Sequence, residues 1–230
     1  MKTIGLIGGL SWESSSVYYS YINRFVQESL GGINSAKCLL YSFNFEEVAA
    51  LQKAGEWAKL TDEMIHAAKT LENSGADMIV ICTNTMHKMV DEMKSTLSIP
   101  IIHIVDCVVE AVKEKGLAKV GLLGTRFTME QPFYREILEK SGIEVIIPND
   151  SDREVIHNVI YQELCKGELN DSSKQAYLDI IQSLHKEGAE GIILGCTEIP
   201  LLIQQVDTSI PVFDTTYLHS KKVAEIALVD

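Results

Sequence analysis

No uninterrupted apolar run in this 230-residue chain approaches the roughly 18 residues a membrane-spanning helix needs, so none is expected to cross a bilayer. The opening Met1-Lys2-Thr-Ile-Gly-Leu-Ile is too short for a secretion signal. It runs into Gly8-Gly9-Leu-Ser-Trp-Glu without a cleavage pattern, and reads as a first β-strand. Positive charge is scarce: 20 Lys and Arg against 32 Asp and Glu leave a net charge of −12. That argues against a nucleic-acid partner, which requires a basic face, and says nothing about a small-molecule pocket. There is no Cys-x-x-Cys pair, and the six His are scattered without ligand spacing, so no metal site is expected. The five cysteines are odd in number and irregularly spaced, which suits a reducing cytosol better than a disulfide framework. Neither G-x-G-x-x-G nor G-x-x-x-x-G-K-[ST] occurs, which removes the dinucleotide and nucleotide-triphosphate fingerprints.

What is present is ordinary globular material, 46% hydrophobic and 23% charged, long enough for one large or two small domains. Strand-like runs fall at about 3–8, 37–43, 77–82, 100–104, 119–123, 143–147, 190–195 and 210–213. Segments of helical period lie between them. Residues 14–29 put Val17, Tyr18, Tyr21, Ile22 and Phe25 on one stripe, and residues 57–73 do the same with Leu60, Met64, Ala67, Ala68 and Leu71. Strands alternating with helices predict parallel sheets covered on both faces, an α/β fold. Helix starts are marked by Ser11 or Ser14, by Asp106 and by Asp214; Asn73-Ser74-Gly75 and Glu187-Gly188 mark helix ends.

The chain also repeats itself. Thr3-Ile-Gly-Leu-Ile-Gly8 is similar to Lys119-Val-Gly-Leu-Leu-Gly124, and Gly75-Ala76 recurs as Gly188-Ala189. Ile99-Pro-Ile-Ile-His103 recurs as Ile210-Pro-Val-Phe-Asp214. The offsets fall from 116 residues at the first strand (Thr3 to Lys119) through 114 at the cysteines (Cys82 to Cys196) to 111 at the last strand (Ile99 to Ile210). A period this long indicates a duplicated domain rather than a solenoid. With no low-complexity linker, two tightly packed domains are expected: 1–104 plus 215–230, the last helix returning to the first half, and 105–214.

Both copies carry one candidate for chemistry. Asp77-Met-Ile-Val-Ile-Cys82-Thr83-Asn84-Thr85 and Glu190-Gly-Ile-Ile-Leu-Gly-Cys196-Thr197-Glu198 each end an apolar strand on Cys-Thr. The carboxyl end of a parallel strand, at the start of the next helix, is where α/β folds put ligands and where a thiolate is favoured. Cys38, Cys107 and Cys165 read instead as small buried hydrophobes.

These motifs, with Gly8-Gly9 after the first strand and Gly124-Thr125 after the fifth, resemble the aspartate/glutamate racemase family. The resemblance covers residues 1–228 and is closest to the branch with Gly-Gly-Leu-Ser-Trp-Glu at 8–13. It implies two similar Rossmann-like domains related by a pseudo-twofold axis, with the active site between them. It also implies a cofactor-independent amino-acid racemase in which Cys82 and Cys196 act as acid and base on opposite faces of Cα. The physics agrees, because one base would have to move between faces whereas a thiolate and a thiol facing across Cα need not. A free thiol is only about 3% ionised at pH 7. Helix N-termini and donors such as Thr83, Asn84 and Thr197 are expected to raise that fraction roughly tenfold.

The substrate carboxylate needs donors for its enediolate form. Asn84 and Thr85 past Cys82, Thr125 and Thr128 past the fifth strand, and Thr197 are placed for this. The Leu10–Ser14 loop is expected to line the pocket. In the aspartate branch two basic residues meet the distal carboxylate. Lys166 matches one; the other falls in Phe43-Asn-Phe-Glu-Glu-Val-Ala-Ala-Leu-Gln52, which has no Arg, leaving Gln52 as an uncharged contact. Glu198 stands where the first copy has Asn84, and could orient Cys196, orient the substrate ammonium or cap the next helix. His87 and His103 read as packing or polar contacts.

The sequence thus predicts a cytoplasmic racemase of aspartate, glutamate or a related polar amino acid, interconverting L and D forms without cofactor or metal, with no membrane or nucleic-acid partner. A homodimer is compatible with it. Two alternatives stand beside this: a two-cysteine isomerase of maleate isomerase or hydantoin racemase type, and a non-catalytic two-lobe small-molecule binding protein.

Overall fold

The computed structural model describes residues 1–229. They divide into two compact units, Met1–His103 with the chain from His219 onward, and Ile104–Leu218. Each unit holds a four-stranded, all-parallel sheet. In the first, β1 (Thr3–Gly8), β2 (Lys37–Ser42), β3 (Met78–Ile81) and β4 (Ile101–Ile102) lie in the order β2-β1-β3-β4. In the second, β5 (Lys119–Gly124), β6 (Glu144–Ile146), β7 (Gly191–Gly195) and β8 (Val212–Asp214) lie in the order β6-β5-β7-β8. The identical order is what a duplicated unit gives. Every strand-like run in the sequence is a strand, its ends displaced by no more than two residues.

The helices of the first unit are α1 (Trp12–Leu30), α2 (Phe45–Ala54), α3 (Trp57–Asn73) and the short α4 (Val90–Lys94). In the second are α5 (Ile104–Glu114), α6 (Arg126–Glu130), α7 (Pro132–Lys140), α8 (Asp150–Gln162), α9 (Asp171–Lys186) and α10 (Ile199–Leu202). The last helix, α11 (Thr215–Leu228), begins in the second unit and ends in the first. Asp214 caps it, its carboxylate accepting from the N–H groups of Thr216 and Tyr217 at 2.9 and 3.0 Å. Asp106 does not cap α5. That helix starts two residues earlier, at Ile104, and Asp106 lies in its first turn, where a negative charge still suits the helix end. After α3 and α9 the chain turns away through Gly75 and Gly188, at φ of 92° and 102°.

Each sheet separates two apolar clusters, as alternation along a buried strand requires. On one face of the first sheet, Ile4, Leu6, Met78 and Val80 pack with Tyr18 and Ile22 of α1 and Val223 and Ala227 of α11. On the other, Ile7, Ile79 and Ile81 meet Leu60, Met64, Ala68 and Leu71 of α3. In the second sheet Val120, Leu122 and Ile193 face α5 and α7, while Leu123, Ile192 and Leu194 face α8 and α9.

The strand register aligns the copies independently of the sequence motifs. Met78 is beside Ile4 and Gly191 is beside Val120, an offset of 113 residues along β3 and β7. An acidic residue before each of these strands repeats at the same offset. Asp77 accepts from the Thr3 N–H at 2.6 Å, and Glu190 from the N–H groups of Ala118 and Lys119 at 2.7 and 3.0 Å. The cysteines are 114 apart, so Gly195, not Cys196, stands at the place of Cys82. With a side-chain period of two, this one-residue step puts the thiols on different faces. Cys82 belongs to the cluster under α1 and α11, and Cys196 to the cluster under α8 and α9.

Candidate functional site

Cys82 follows the last residue of β3, and two bonds fix its backbone: its N–H donates to the Ile7 carbonyl at 2.9 Å, and its carbonyl accepts from Ser14 Oγ at 2.9 Å. Ser14 reaches that carbonyl because the chain after β1 turns sharply. Gly9 has φ of 70°, and a Cβ there would run into the Phe43 backbone. Ser11, at φ of 130°, is the one non-glycine residue with positive φ among those described. It caps α1 through a bond from Ser14 N–H at 3.4 Å, and its carbonyl accepts from Ser15 Oγ at 3.0 Å. A strained serine held by bonds on both sides marks a loop whose conformation the surroundings impose.

Past the thiol, the Thr83 carbonyl receives a bond from His87 Nδ1 at 2.8 Å. A carbonyl only accepts, so Nδ1 carries the proton. His87 lies edge-on to His103 and His219, with ring centroids 4.8 and 5.7 Å away. His219 Nε2 donates to the Ile102 carbonyl at 2.9 Å, which leaves Nδ1 to accept from the Tyr18 hydroxyl, also at 2.9 Å. Burial holds His87 well below the usual histidine range and brings His219 down to about 3, so both rings are neutral. Asn84 and Thr85 are buried beside them. Leu10 packs in one apolar cluster with Met86, whose sulfur accepts from Gln52 Nε2 at 3.4 Å. The structure thus brings Leu10, Gln52 and the segment after Cys82 together.

In the second unit Thr125 caps α6, accepting from the Thr128 N–H at 3.3 Å, and the two hydroxyls are 3.3 Å apart. A Cβ on Gly195 would come within 3.3 Å of Thr128 Cγ2, so Thr128 sits over the residue that precedes Cys196. Cys196 Sγ donates to Glu198 Oε2 at 3.0 Å, and Thr197 Oγ1 donates to the same oxygen at 2.9 Å. Glu198 makes no side-chain bond to cap α10, so of the roles open to it the structure shows a partner of the thiol. Lys166 is exposed at the end of a 3-10 turn, Leu164–Lys166, that packs against α10.

Both thiols are pushed far above the ordinary range, chiefly by burial; the Glu198 charge adds to this at Cys196, and a smaller influence of Cys38 at Cys82. This corrects the expectation of a raised thiolate fraction. The helical segments after the cysteines are a five-residue 3-10 helix, Thr85–Met89, and the four-residue α10, too short to offset the lost hydration.

Ser14 belongs to the loop expected to line the pocket, but nothing local in the sequence marked Tyr18 or His219 as neighbours of the Cys82 segment; these two are 201 residues apart. A cavity of about 440 Å³ opens elsewhere in the first unit, lined by Phe43, Val48, Leu51 and Leu60 among others, and no candidate residue lines it. Among the described residues, no group of three or more His, Cys, Asp or Glu is arranged to hold a metal ion, and no helix is long and apolar enough to cross a membrane.

Two parallel α/β sheets of one topology, each ending a central strand on a buried free cysteine, define an α/β protein with paired thiols at strand ends. The Asp/Glu/hydantoin racemase family profile matches residues 7–223, and the chain belongs to that family of isomerases. It is similar to the broad specificity amino-acid racemase RacX of Bacillus subtilis strain 168, 25% identical over 223 residues and 95% of each chain. Among solved structures it resembles a Yersinia pestis protein provisionally assigned as an Asp/Glu racemase, at 49% identity, TM-score 0.92 and full coverage of both chains. An aspartate racemase homologue from Pyrococcus horikoshii OT3 shares 38% identity, with TM-score 0.86 over 99% of each.

Proposed function

We propose that this protein is a pyridoxal-independent amino-acid racemase in which Cys82 and Cys196 exchange the α-proton, one from each face of Cα. The observation that carries this reading is the pair of buried free cysteines, each one residue past a central strand, in a chain of the racemase family. One sulfur, as thiolate, removes the proton; the other, as thiol, supplies one to the opposite face. Burial keeps both thiols protonated in the free protein, and the ammonium group of a bound amino acid is the opposite charge that favours the thiolate. Asn84, Thr85, Thr125, Thr128 and Thr83 supply donors for the developing enediolate, an electrostatic stabilisation of oxyanion type, and Thr197, its hydroxyl proton already given to Glu198, offers its backbone N–H. Gln52, Lys166 and the Leu10 loop meet the side chain, which favours an acidic or related polar substrate.

The test is to incubate the protein with single L- and D-amino acids in D₂O, aspartate and glutamate first, and follow the α-proton by NMR. Loss of the α-proton signal with appearance of the other enantiomer is expected, insensitive to chelators and carbonyl reagents and abolished by iodoacetamide. Tight binding of an amino acid without α-exchange would overturn it in favour of a binding protein. Turnover of a hydantoin or maleate alone would transfer the same thiols to a sister isomerase.

A further inference from the structure

Among the described residues, only one of the two strand-end thiols has a carboxylate in hydrogen-bonding contact. Glu198 is 3% exposed, and one of its oxygens receives both the Cys196 S–H and the Thr197 O–H. At the equivalent place after Cys82 the chain has Asn84, which has no basic atom at neutral pH. We propose that Glu198 is the internal proton acceptor of Cys196, so that the second unit carries its own base and the first does not. The inference rests on the two-thiol reading above.

The step is a single proton transfer. The Cys196 S–H bond breaks, its proton goes to Glu198 Oε2, and a thiolate and a neutral carboxylic acid replace a thiol and a carboxylate. The thiolate then takes the α-proton, Cys82 gives its own proton to the opposite face, and the cycle resets as Glu198 loses a proton to water and Cys82 gains one. Thr197 holds the accepting oxygen in place by its own bond at 2.9 Å. The other titratable groups that face this pair are Tyr161 on α8, Cys165 in the 3-10 turn and Tyr177 on α9, with Glu163 acting on Tyr177. Burial, and the charges of Cys196 and Glu198, push the tyrosines away from ionisation, and burial with Glu198 does the same to Cys165.

Glu198→Gln separates this from a structural role, because the proposal gives two effects of opposite sense. Removing the acceptor is expected to lower kcat/KM on the amino acid turned over by about 10²-fold or more, typical of a positioned base. The loss must be equal in both directions, since the two enantiomers have the same free energy. Removing the negative charge is expected to make Cys196 easier to ionise: the midpoint of its alkylation by iodoacetamide, read by peptide mass spectrometry, moves to lower pH while that of Cys82 stays. A merely disordered site would move both cysteines. An unmoved Cys196 midpoint, or turnover within threefold of the unaltered protein, would overturn the proposal. Glu198→Asp covers the case in which the Glu198→Gln variant does not fold: lost turnover with a retained Cys196 midpoint supports the proton link, and full turnover with a shifted midpoint defeats it. If the unaltered protein exchanges no α-proton, the proposed reaction falls, while the alkylation midpoint still decides whether Glu198 governs this thiol.

Discussion

The segment after β3 and the segment after β7 start from the same Cys-Thr pair, yet their surroundings share almost nothing. Around Cys82 the polar partners are neutral: Ser14 on its carbonyl, His87 on the next one, and His219 with Tyr18 behind. Around Cys196 a carboxylate touches the sulfur, ringed by tyrosines and a third thiol. Two differences lie behind this: Glu198 stands where the first copy has Asn84, and one residue, Gly195, is added before Cys196. In a strand of period two the added residue turns the second thiol toward α8 and α9 instead of the helices equivalent to those that cover Cys82. Duplication preserved the sheet, its order and its acidic strand anchors; one residue of slip was enough to set the two thiols among different helices.

If both thiols exchange the α-proton, the two units must be equally indispensable despite this difference. Cys82→Ser and Cys196→Ser are each expected to lower racemisation by at least ~10²–10⁴. Either variant can be assayed for exchange of one enantiomer alone, and near-normal racemisation by one would break the pairing of the units. A smaller effect tests whether the second unit also reads the side chain. Lys166→Ala is expected to lower the ratio of kcat/KM for acidic over neutral substrates by roughly ten- to a hundredfold, about 1.5–3 kcal/mol for a hydrogen bond to a charged group. An unchanged ratio would leave side-chain recognition to Gln52 and the Leu10 loop in the first unit.

Two buried tyrosines sharpen the comparison at the level of stability. Tyr18→Phe deprives His219 Nδ1 of its donor inside a closed cluster, an expected loss of about 1–3 kcal/mol in denaturant unfolding. Tyr177→Phe removes a bond to the Ile156 carbonyl, which still accepts from its own helix, so a loss of no more than ~1 kcal/mol is expected. Equal losses would contradict the distinction between the two polar environments. The smallest effect is on pH dependence. His87 and His219 stay neutral in the folded protein, whereas in the unfolded chain they bind protons below about pH 6.5. The unfolded state then holds more protons, so stability is full above that pH and falls as pH drops toward about 3, the folded value for His219. Amide protection, corrected for the slower intrinsic exchange at pH 5, should fall from pH 7 to pH 5 more in α1 and α11 than in α8 and α9; a uniform change would reject it.

The fold was legible because it depends on local pattern. Unbroken apolar runs such as Met78–Ile81 and Ile192–Leu194, alternating with segments of helical period, read as buried parallel strands, and their repetition in order exposed the duplication. Both cysteines and their threonines were legible for the same reason. The unequal placement of the thiols was not read: motif matching set Cys82 on Cys196, although Gly75 and Gly188 are 113 apart and the cysteines 114, and the register of β3 against β1 and of β7 against β5 places the extra residue in the strand. The thiolate fraction was misjudged because a helix start was visible in the sequence but its brevity and the depth of burial were not. Tyr18 was legible as part of a buried stripe and the return of the last helix was expected, but periodicity does not encode which residues meet there, so the Tyr18–His219 bond was not.

That return sets an order of assembly. Val223 and Ala227 complete the cluster around Ile4 and Leu6, and the Lys2 N–H donates to the Ala227 carbonyl at 2.8 Å. The first unit is therefore made of residues that lie on both sides of the second in the chain, so most of α11 leaves a ribosome only after the second unit has done so. During synthesis, the second core can close while the first still lacks one wall, leaving the α1 side of its sheet to wait, apolar and open, for α11.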